Sequence, residues 1–259
     1  MDFIQSKNTG LDRAGMLVID GRGWQDKERQ LLKEKLMQLS SVEGVTASYD
    51  NPVNIQGGYS IREVEGQPND FDMDVTAIPI EKDFVSVFHI QSVAGEPLSD
   101  TDILRAQDTV SPEYGFVVNT LAASAMGFTP QQAIGKKINL NGRKGSIKQV
   151  VASFNFASLH SEVKPIVLFP EYDYFGNIFI RINPSTPVQD ALAQVKSVVQ
   201  DIDVKNSFEY HFLNDDYDKL YLKDQQTTRV MQLFSIITIA IACMGLFALS
   251  AYAVQQRFK

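Results

Sequence analysis

Four acidic residues have the spacing of a calcium-binding loop. Asp70, Asp72, Asp74 and Glu81 occupy what would be its first, third, fifth and twelfth positions. The sixth position, where the loop needs glycine, is Val75, and a β-branched side chain resists that backbone conformation. The segment also alternates like a strand and has no helical pattern on either side. The pattern therefore favours a solvated acidic strand over a calcium site.

Other motifs that could do chemistry are weaker still. The stretch GFTPQQAIGKK, Gly127 to Lys137, faintly resembles a phosphate-binding loop, but its spacing is wrong and Lys137 stands where Ser or Thr would hold magnesium. No Gly-x-Ser-x-Gly elbow occurs. The three histidines lie in separate segments without metal-ligand spacing: His89, His160 and His211. We therefore expect no catalytic residue, no cofactor and no metal site, and a membrane-anchored hydrolase is disfavoured.

Composition narrows the class of protein. The chain has 259 residues, with 24 Lys and Arg against 31 Asp and Glu, giving a net charge of −7. This balance argues against a nucleic-acid surface and against a polybasic lipid-binding face. The single cysteine, Cys243, lies in an apolar run, so no disulfide is expected in the polar part of the chain.

That apolar run is Val230 to Val254, which contains no charged residue and is flanked by Arg229 and Arg257. At ~1.5 Å per residue it would reach roughly 37 Å, enough for a hydrocarbon core of about 30 Å. A buried core helix is the rival interpretation, but such helices are usually shorter and carry a polar stripe. The run therefore predicts one membrane-spanning helix. Charge bias alone does not determine its orientation, because large domains cross membranes largely regardless of charge.

One face of the predicted span is small and mildly polar. Its residues fall within an arc of roughly 100° at about 100° per residue, and they are Ser235, Thr238, Ala242, Gly245 and Tyr252. In lipid, close backbone approach and hydroxyl hydrogen bonds promote helix association. We expect a helix–helix interface here. The alternative is that small residues, which are common in membrane helices, face lipid.

Hydrophobic periodicity organises the part before the span. A strand, an amphipathic helix and a strand are predicted at Met16 to Asp20, Asp26 to Leu39 and Val45 to Tyr49, with Gly44 as the helix exit. The same order returns near the other end, at Asn177 to Ile182, Pro187 to Val199 and Phe208 to Leu213. Between them lie further short strands, one convincing helix from Thr120 to Met126, and a polar loop from Ala94 to Tyr114. The fold class predicted is α+β, with a discontinuous domain built from both ends around a β-rich insert.

Five segments together resemble the extracytoplasmic core domain of MacB/FtsX-type ABC transporter permeases. They are VVNTLAASAMGF (117 to 128), AIGKKINLNG (133 to 142), FNFASLHSEVKPIVLF (154 to 169), FEYHFLNDDYDKLY (208 to 221) and QLFSIITIAIACMGLFALSAYAVQQRFK (232 to 259). Their order and spacing cover nearly the whole chain. Ser153 before Phe154 departs from the family's frequent Asp-Phe.

The resemblance implies a domain organisation. Residues 1–83 and 171–214 would form a porter-like subdomain, 84–170 a sabre-like insert, 215–229 a connecting helix, 230–254 a transmembrane helix and 255–259 the start of a cytoplasmic segment. Such permeases usually have one span before this domain and two more after it, so the chain would be a permease fragment. Family topology places the bulk of the chain in the periplasm and its span in the cytoplasmic membrane.

The resemblance also implies a function. The chain would be a non-catalytic permease subunit that transmits motion driven by a cytosolic ABC ATPase subunit, paired with a second permease subunit as a homodimer or heterodimer. It would export or release a substrate or control a periplasmic partner. The alternative from another class is a single-span membrane-anchored sensor or binding module. The sequence does not name the substrate.

Overall fold

The computed structural model describes residues 11–53, 55, 58–154, 163–171, 175–202, 208–217, 219, 231–232, 234–239 and 241–246. Contacts divide the chain into two units, residues 1–215 and 216–259. In chain order the elements are β1 (Met16–Asp20), α1 (Asp26–Met37), β2 (Val42–Ser48), β3 (Gly58–Arg62), β4 (Asp72–Ile80), α2 (Phe84–Val87), β5 (Ser92–Gly95), α3 (Asp100–Ala106), β6 (Tyr114–Asn119), α4 (Thr120–Ala125), α5 (Pro130–Ala133), β7 (Lys137–Leu140), β8 (Arg143–Val151), β9 (Ile166–Pro170), β10 (Asn177–Ile182), α6 (Val188–Ile202) and β11 (Tyr210–Phe212).

The β, α, β units at the two ends of the first unit share one sheet. β1 pairs antiparallel with β10 from Met16 opposite Arg181 to Asp20 opposite Asn177. β2 flanks β10 on its other side, and β11 flanks β1. Helices α1 and α6 pack on this sheet, burying Leu32 and Val195 in a common core that we call the first core. Strands more than 150 residues apart therefore cooperate in one α+β layer.

A second core lies among the middle strands. β4 pairs with β3 and, in parallel, with β9, while β6 pairs in parallel with β8. Val75, Phe116, Val150 and Phe169 are buried together there. β3 and β4 fall within the predicted segment 1–83, yet their side chains Ile61, Val75 and Ala77 pack in this second core. The division between the cores therefore runs between β2 and β4, while the subdomain boundaries at 83 and 171 stay a prediction.

Local chemistry explains several element ends. The β7–β8 hairpin turns at Asn141 and Gly142, which have φ values of +47° and +89°, the left-handed conformation that an Asn-Gly hairpin turn requires. Helix α3 begins at a capping box in which Asp102 N–H donates to Ser99 Oγ and Ser99 N–H donates to Asp102 Oδ2. This helix lies within the segment predicted as a loop, because the polar composition of that segment obscures the Ser-Asp-Thr-Asp capping signal at 99–102.

Gly44 does not end a helix as predicted. It lies inside β2, and helix α1 ends earlier, at Met37. A Cβ atom at Gly44 would come within 2.9 Å of Val87 Cγ2, so the missing side chain lets α2 approach the sheet. Glycine here serves close packing rather than helix termination.

The second unit is described only in part. Residues 213–217, at the boundary between the units, and 231–232, 234–239 and 241–246 have helical backbone. No helix among the described residues is both long enough and apolar enough to cross a membrane. The remaining positions of the predicted span, including Tyr252 and 247–254, lie outside the described residues.

Candidate functional site

The buried carboxylate of Glu81 lies between the first core and β4, the strand whose side chains pack in the second core. Glu81 directly follows β4, and its side chain is 8% exposed. Lys33 Nζ lies 2.9 Å from Glu81 Oε2 and 2.7 Å from Asp83 Oδ2. Arg29 Nε lies 3.5 Å from Glu81 Oε1, and its guanidinium stacks on Phe175 at 4.6 Å. Two cations of one helix therefore hold the end of β4.

Helix α1 positions these cations by its periodicity. Leu32 and Leu36 point into the first core, which leaves Arg29 and Lys33, one turn apart, on the side next to the end of β4. Glu81 is fixed from its own backbone, because its N–H donates to Ala47 O in β2 at 3.0 Å. Both partners are thus placed by secondary structure.

The surroundings of Lys33 favour its charged form. Burial acts to lower the pKa of Lys33, but the negative charges and hydrogen bonds of Glu81 and Asp83 outweigh it, so the pKa is raised above its ordinary 10.5. The ammonium of Lys33 is therefore held charged beside Glu81.

Further ion pairs continue from this point toward the second core. Lys82 pairs with Asp100 at the start of α3. Asp102, in the same helix, pairs with Lys148 of β8 at 3.0 Å. Burial acts to raise the pKa of Asp102, but hydrogen bonds from Ser99 and the contact with Lys148 outweigh it and lower the pKa below 3.8. We call the eight residues that link α1 to β8 in this way the ionic chain: Arg29, Lys33, Glu81, Lys82, Asp83, Asp100, Asp102 and Lys148.

The ionic chain consists of charge pairs that join different secondary-structure elements. Its members are paired carboxylates, ammonium groups and a guanidinium, with no nucleophile activated by a base. Charged hydrogen bonds between elements resist their separation more strongly than neutral ones. Arg29 and Lys33 tie α1 to the end of β4 through Glu81, and Asp102 ties α3 to β8 through Lys148, while the Lys82–Asp100 pair between them is exposed to solvent.

A second polar cluster fixes the segment that precedes β1. Arg181 of β10 is 3% exposed, and its guanidinium donates to Asp12 O at 2.7 Å and to Val87 O at 2.5 Å. Arg181 also pairs with Asp12 Oδ2 at 2.9 Å. His89 Nδ1 contacts the same carboxylate at 3.1 Å, and its Nε2 contacts Glu43 at 3.0 Å. Residues preceding β1, the end of α2 and two sheet strands therefore meet at one point.

A crevice of about 540 Å³ opens where β1, β10 and β11 end. It is lined by Asp20, Arg22, Tyr49, Gly176, Asn177, Glu209, Tyr210 and His211. Within it Arg22 forms a forked pair with Asp20, the shortest contact being 2.7 Å. Its size falls in the range of small-molecule sites.

The acidic residues with calcium-loop spacing are not brought together as a site. Asp72 and Asp74 lie on β4, where Asp72 pairs with Arg62 at 3.0 Å. Glu81 is instead buried against Arg29 and Lys33. In the described part of the chain no three His, Cys, Asp or Glu residues are grouped so as to hold a metal ion. His160 lies outside the described residues.

The residues predicted to form a helix–helix interface lie in the second unit, where no partner is present. Ser235 Oγ donates to Met231 O at 2.9 Å, and Thr238 Oγ1 donates to Phe234 O at 2.8 Å. Ala242 is exposed, and a Cβ atom at Gly245 would meet no described atom within 4 Å. The face therefore stays a prediction, and its hydroxyls bond to their own helix.

Sequence reasoning did not single out the ionic chain. Two signals were present: Arg29 and Lys33 at i and i+4, and the charged triplet 81–83 between two apolar runs. Neither identifies its partner, because contacts 48 residues apart are set by the fold.

No protein-family model and no curated protein matches the sequence. The fold is similar to the periplasmic region of MacB from Actinobacillus actinomycetemcomitans, with a TM-score of 0.53 and 14% identity over 84% of this chain and 97% of that one. It is also similar to the extracellular domain of the noncanonic ABC-type transporter YknZ from Gram-positive bacteria, with a TM-score of 0.50 and 14% identity over 76% and 97% of the two chains. The chain thus has an α+β fold like the extracytoplasmic domains of ABC transporter permeases.

Proposed function

We propose that this chain is the extracytoplasmic domain and one membrane span of an ABC transporter permease subunit. It transmits motion from a cytosolic ATPase to export or release a substrate or to control an outer partner. The bulk of the chain lies in the periplasm and the span in the cytoplasmic membrane. The chain itself catalyses no reaction, and it pairs with a second permease subunit.

The observation that carries this proposal is the likeness to the MacB periplasmic region, which extends over 97% of that chain. A fold by itself does not specify function. The charge-free run from 230 to 254 supplies an independent reason, because it predicts that the domain stands on a membrane. Fold and anchor together suit a permease better than an enzyme.

Exposure in the second unit supports a lipid environment for this run. Met231, Phe234, Ile239, Ile241 and Leu246 are each at least 60% exposed. A contiguous set of large exposed apolar side chains is typical of surfaces that contact membrane or protein. The small face containing Ser235, Thr238, Ala242, Gly245 and Tyr252 would then meet another span, and the large side chains on the other faces, such as Ile236 and Met244, would meet lipid.

The ionic chain supports mechanical transmission in the first unit. A force on the first core would reach β4 through the contact between Lys33 and Glu81. It would reach β8 through the contact between Asp102 and Lys148. Coupling of this kind needs paired, buried contacts that resist separation, and Glu81 meets that condition.

Topology is the first test. We would replace Leu104, which is 69% exposed, by cysteine in a Cys243→Ala background and treat intact cells with a membrane-impermeant maleimide. The proposal expects labelling without permeabilisation. Cysteines placed at Ile237 and Leu246 should stay unlabelled because lipid shields them. Labelling of Leu104→Cys only after permeabilisation would place the domain in the cytosol and contradict the proposal.

The second test is whether the chain assembles with an ABC ATPase subunit and a second permease subunit. Cross-linking in native membranes followed by purification of the tagged chain should recover an ABC ATPase subunit and a second permease subunit. A matched variant, Gly245→Leu, should reduce recovery of the second permease subunit while leaving the outer domain folded. Recovery of the intact, membrane-inserted chain with no ATPase would refute the transporter assignment.

One observation favours the alternative of a single-span sensor or binding module. The crevice beside β11 has the volume of a small-molecule site and places the exposed Tyr49 and Tyr210 next to charged side chains. If Tyr210→Ala abolished a cellular response while ATPase recovery was absent in every membrane preparation, the sensor assignment would replace the permease.

A further inference from the structure

The imidazole of His89 lies between two carboxylates from different elements. Its Nδ1 is 3.1 Å from Asp12 Oδ2, and its Nε2 is 3.0 Å from Glu43 Oε1. The residue follows α2 with a φ of +50°, and its N–H donates to Ser86 O at 3.0 Å. The backbone turn therefore aims the ring at both acidic side chains.

The two contacts require a particular protonation state. A neutral imidazole has one N–H donor, so one of its nitrogens would face a carboxylate oxygen with a lone pair. Only the doubly protonated ring donates to both carboxylates. Burial acts to raise the pKa of Asp12, but the hydrogen bond from Ala14 N–H, the charge of Arg181 and the contact with His89 outweigh it and lower the pKa below 3.8. The carboxyl group of Asp12 is thus held ionised beside the ring.

The carboxylates belong to elements that the ring links together. Asp12 precedes β1 and is tied to the sheet by Arg181, while its N–H donates to Phe88 O at 3.2 Å. Glu43 lies in β2. The charged groups that meet at the ring, among the described residues, are Asp12 from the segment before β1, Glu43 from β2 and, through Asp12, Arg181 from β10.

We propose that His89 is a proton-operated clamp that joins the segment before β1, the end of α2 and strand β2. The clamp is closed when the imidazole carries two protons. When the ring loses one proton, one of its two hydrogen bonds is replaced by a contact between two acceptors, and that link opens. Imidazoles change charge between about pH 5 and pH 8, so the clamp responds to the pH of the compartment that bathes it.

The pH response of the clamp does not depend on the proposed function. Its role in transmitting motion rests on the proposed function. In a permease, the clamp would hold the segment 11–15 against the residues after α2, which continue into β5. A clamp between them would make transmission stronger in acid. The test below involves no ATPase, so failure of the clamp and failure of the permease assignment are separable.

Hydrogen–deuterium exchange on the full chain in detergent provides the test. Protection of amides in 11–16, 42–44 and 86–90 would be compared between wild type and His89→Gln at about pH 5.5 and about pH 8. At the lower pH the wild type should be protected about threefold to tenfold more than the variant, because charged hydrogen bonds exceed neutral ones. At the higher pH the difference should vanish. Comparing variants at one pH cancels the intrinsic dependence of exchange on pH.

Two further variants sharpen the result. Glu43→Gln keeps an acceptor for Nε2–H but removes its charge, and it should lower the pH at which protection is lost. His211→Gln, in the crevice beside β11, should leave the pH dependence of these segments unchanged. A wild type whose protection matches that of His89→Gln at both pH values would overturn the clamp.

A spectroscopic measurement covers the case in which His89→Gln does not fold. The ring ¹⁵N shifts of His89 in the wild-type chain should report two protonated nitrogens at about pH 5.5 and one at about pH 8. A neutral tautomer at both pH values, with the Asp12 and Glu43 contacts intact, would overturn the proposal.

Discussion

Lys33 and Glu81 are 48 residues apart in sequence, and Lys33 Nζ lies 2.9 Å from Glu81 Oε2 at the end of β4, beside the first core. Glu81 would be an uncompensated buried charge without its two cations, since its side chain is 8% exposed. The helix α1 and the end of β4 are therefore dependent on each other.

Removing the shared carboxylate should be strongly destabilising. We expect Glu81→Ala to lower the free energy of unfolding by about 2 kcal/mol, because Arg29 and Lys33 lose their buried partner and keep only Asp26 and Asp83. Asp72→Ala is the matched control, since Asp72 also lies on β4 but pairs with Arg62 in solvent, and it should cost less than about 1 kcal/mol. Denaturant titration measures both. Equal losses would show that the buried pair has no special role.

Close packing at Gly44 predicts a second stability effect. Gly44→Ala should cost about 1 to 3 kcal/mol, because the new Cβ would lie 2.9 Å from Val87 Cγ2 and valine side chains adjust poorly. In a Val87→Ala background the same change should cost almost nothing. A double-mutant cycle compares these values. Purely additive losses would mean that contact with Val87 is not what excludes a side chain at position 44.

Asp102 should make stability depend on acidic pH. Its pKa is lowered in the folded state, so its contribution is present above about pH 3.8 and is lost as the pH falls through the folded value. We expect Asp102→Asn to cost about 1 to 2 kcal/mol at neutral pH and progressively less as the pH falls below about 4. Lys148→Met should weaken the same dependence. A loss for Asp102→Asn that stayed constant at every pH would contradict this assignment.

The small face of the predicted span yields a test of association in the membrane. Gly245→Leu should impair assembly with a second span, because added bulk prevents close backbone approach. Ile236→Ala, nine residues before Gly245 and so on the opposite side of the helix at about 100° per residue, should have little effect. Cross-linking yield in native membranes measures both. Equal, negligible effects would leave the span a plain anchor.

The sequence alone determined much of the secondary structure. β1 and β10 were predicted at the residues where they occur, because alternating or continuous apolar runs between turn residues leave few alternatives. Helix α6 was likewise evident from its apolar stripe. The same local reasoning placed Gly44 at a helix end and missed α3, since a glycine that permits close packing and one that ends a helix look alike in sequence.

Tertiary structure decided which elements meet. Nothing local to β4 indicates that Val75 and Ala77 pack with Phe116, or that Glu81 pairs with a helix near the start of the chain. It also decided that His89 faces Asp12 and Glu43 at once. A charged residue in a sequence is compatible with solvent, with a surface pair or with a buried one, and only the burial of both partners distinguishes them. Periodicity is a property of neighbours along the chain, whereas ion pairs and core membership depend on residues brought together over long sequence separations.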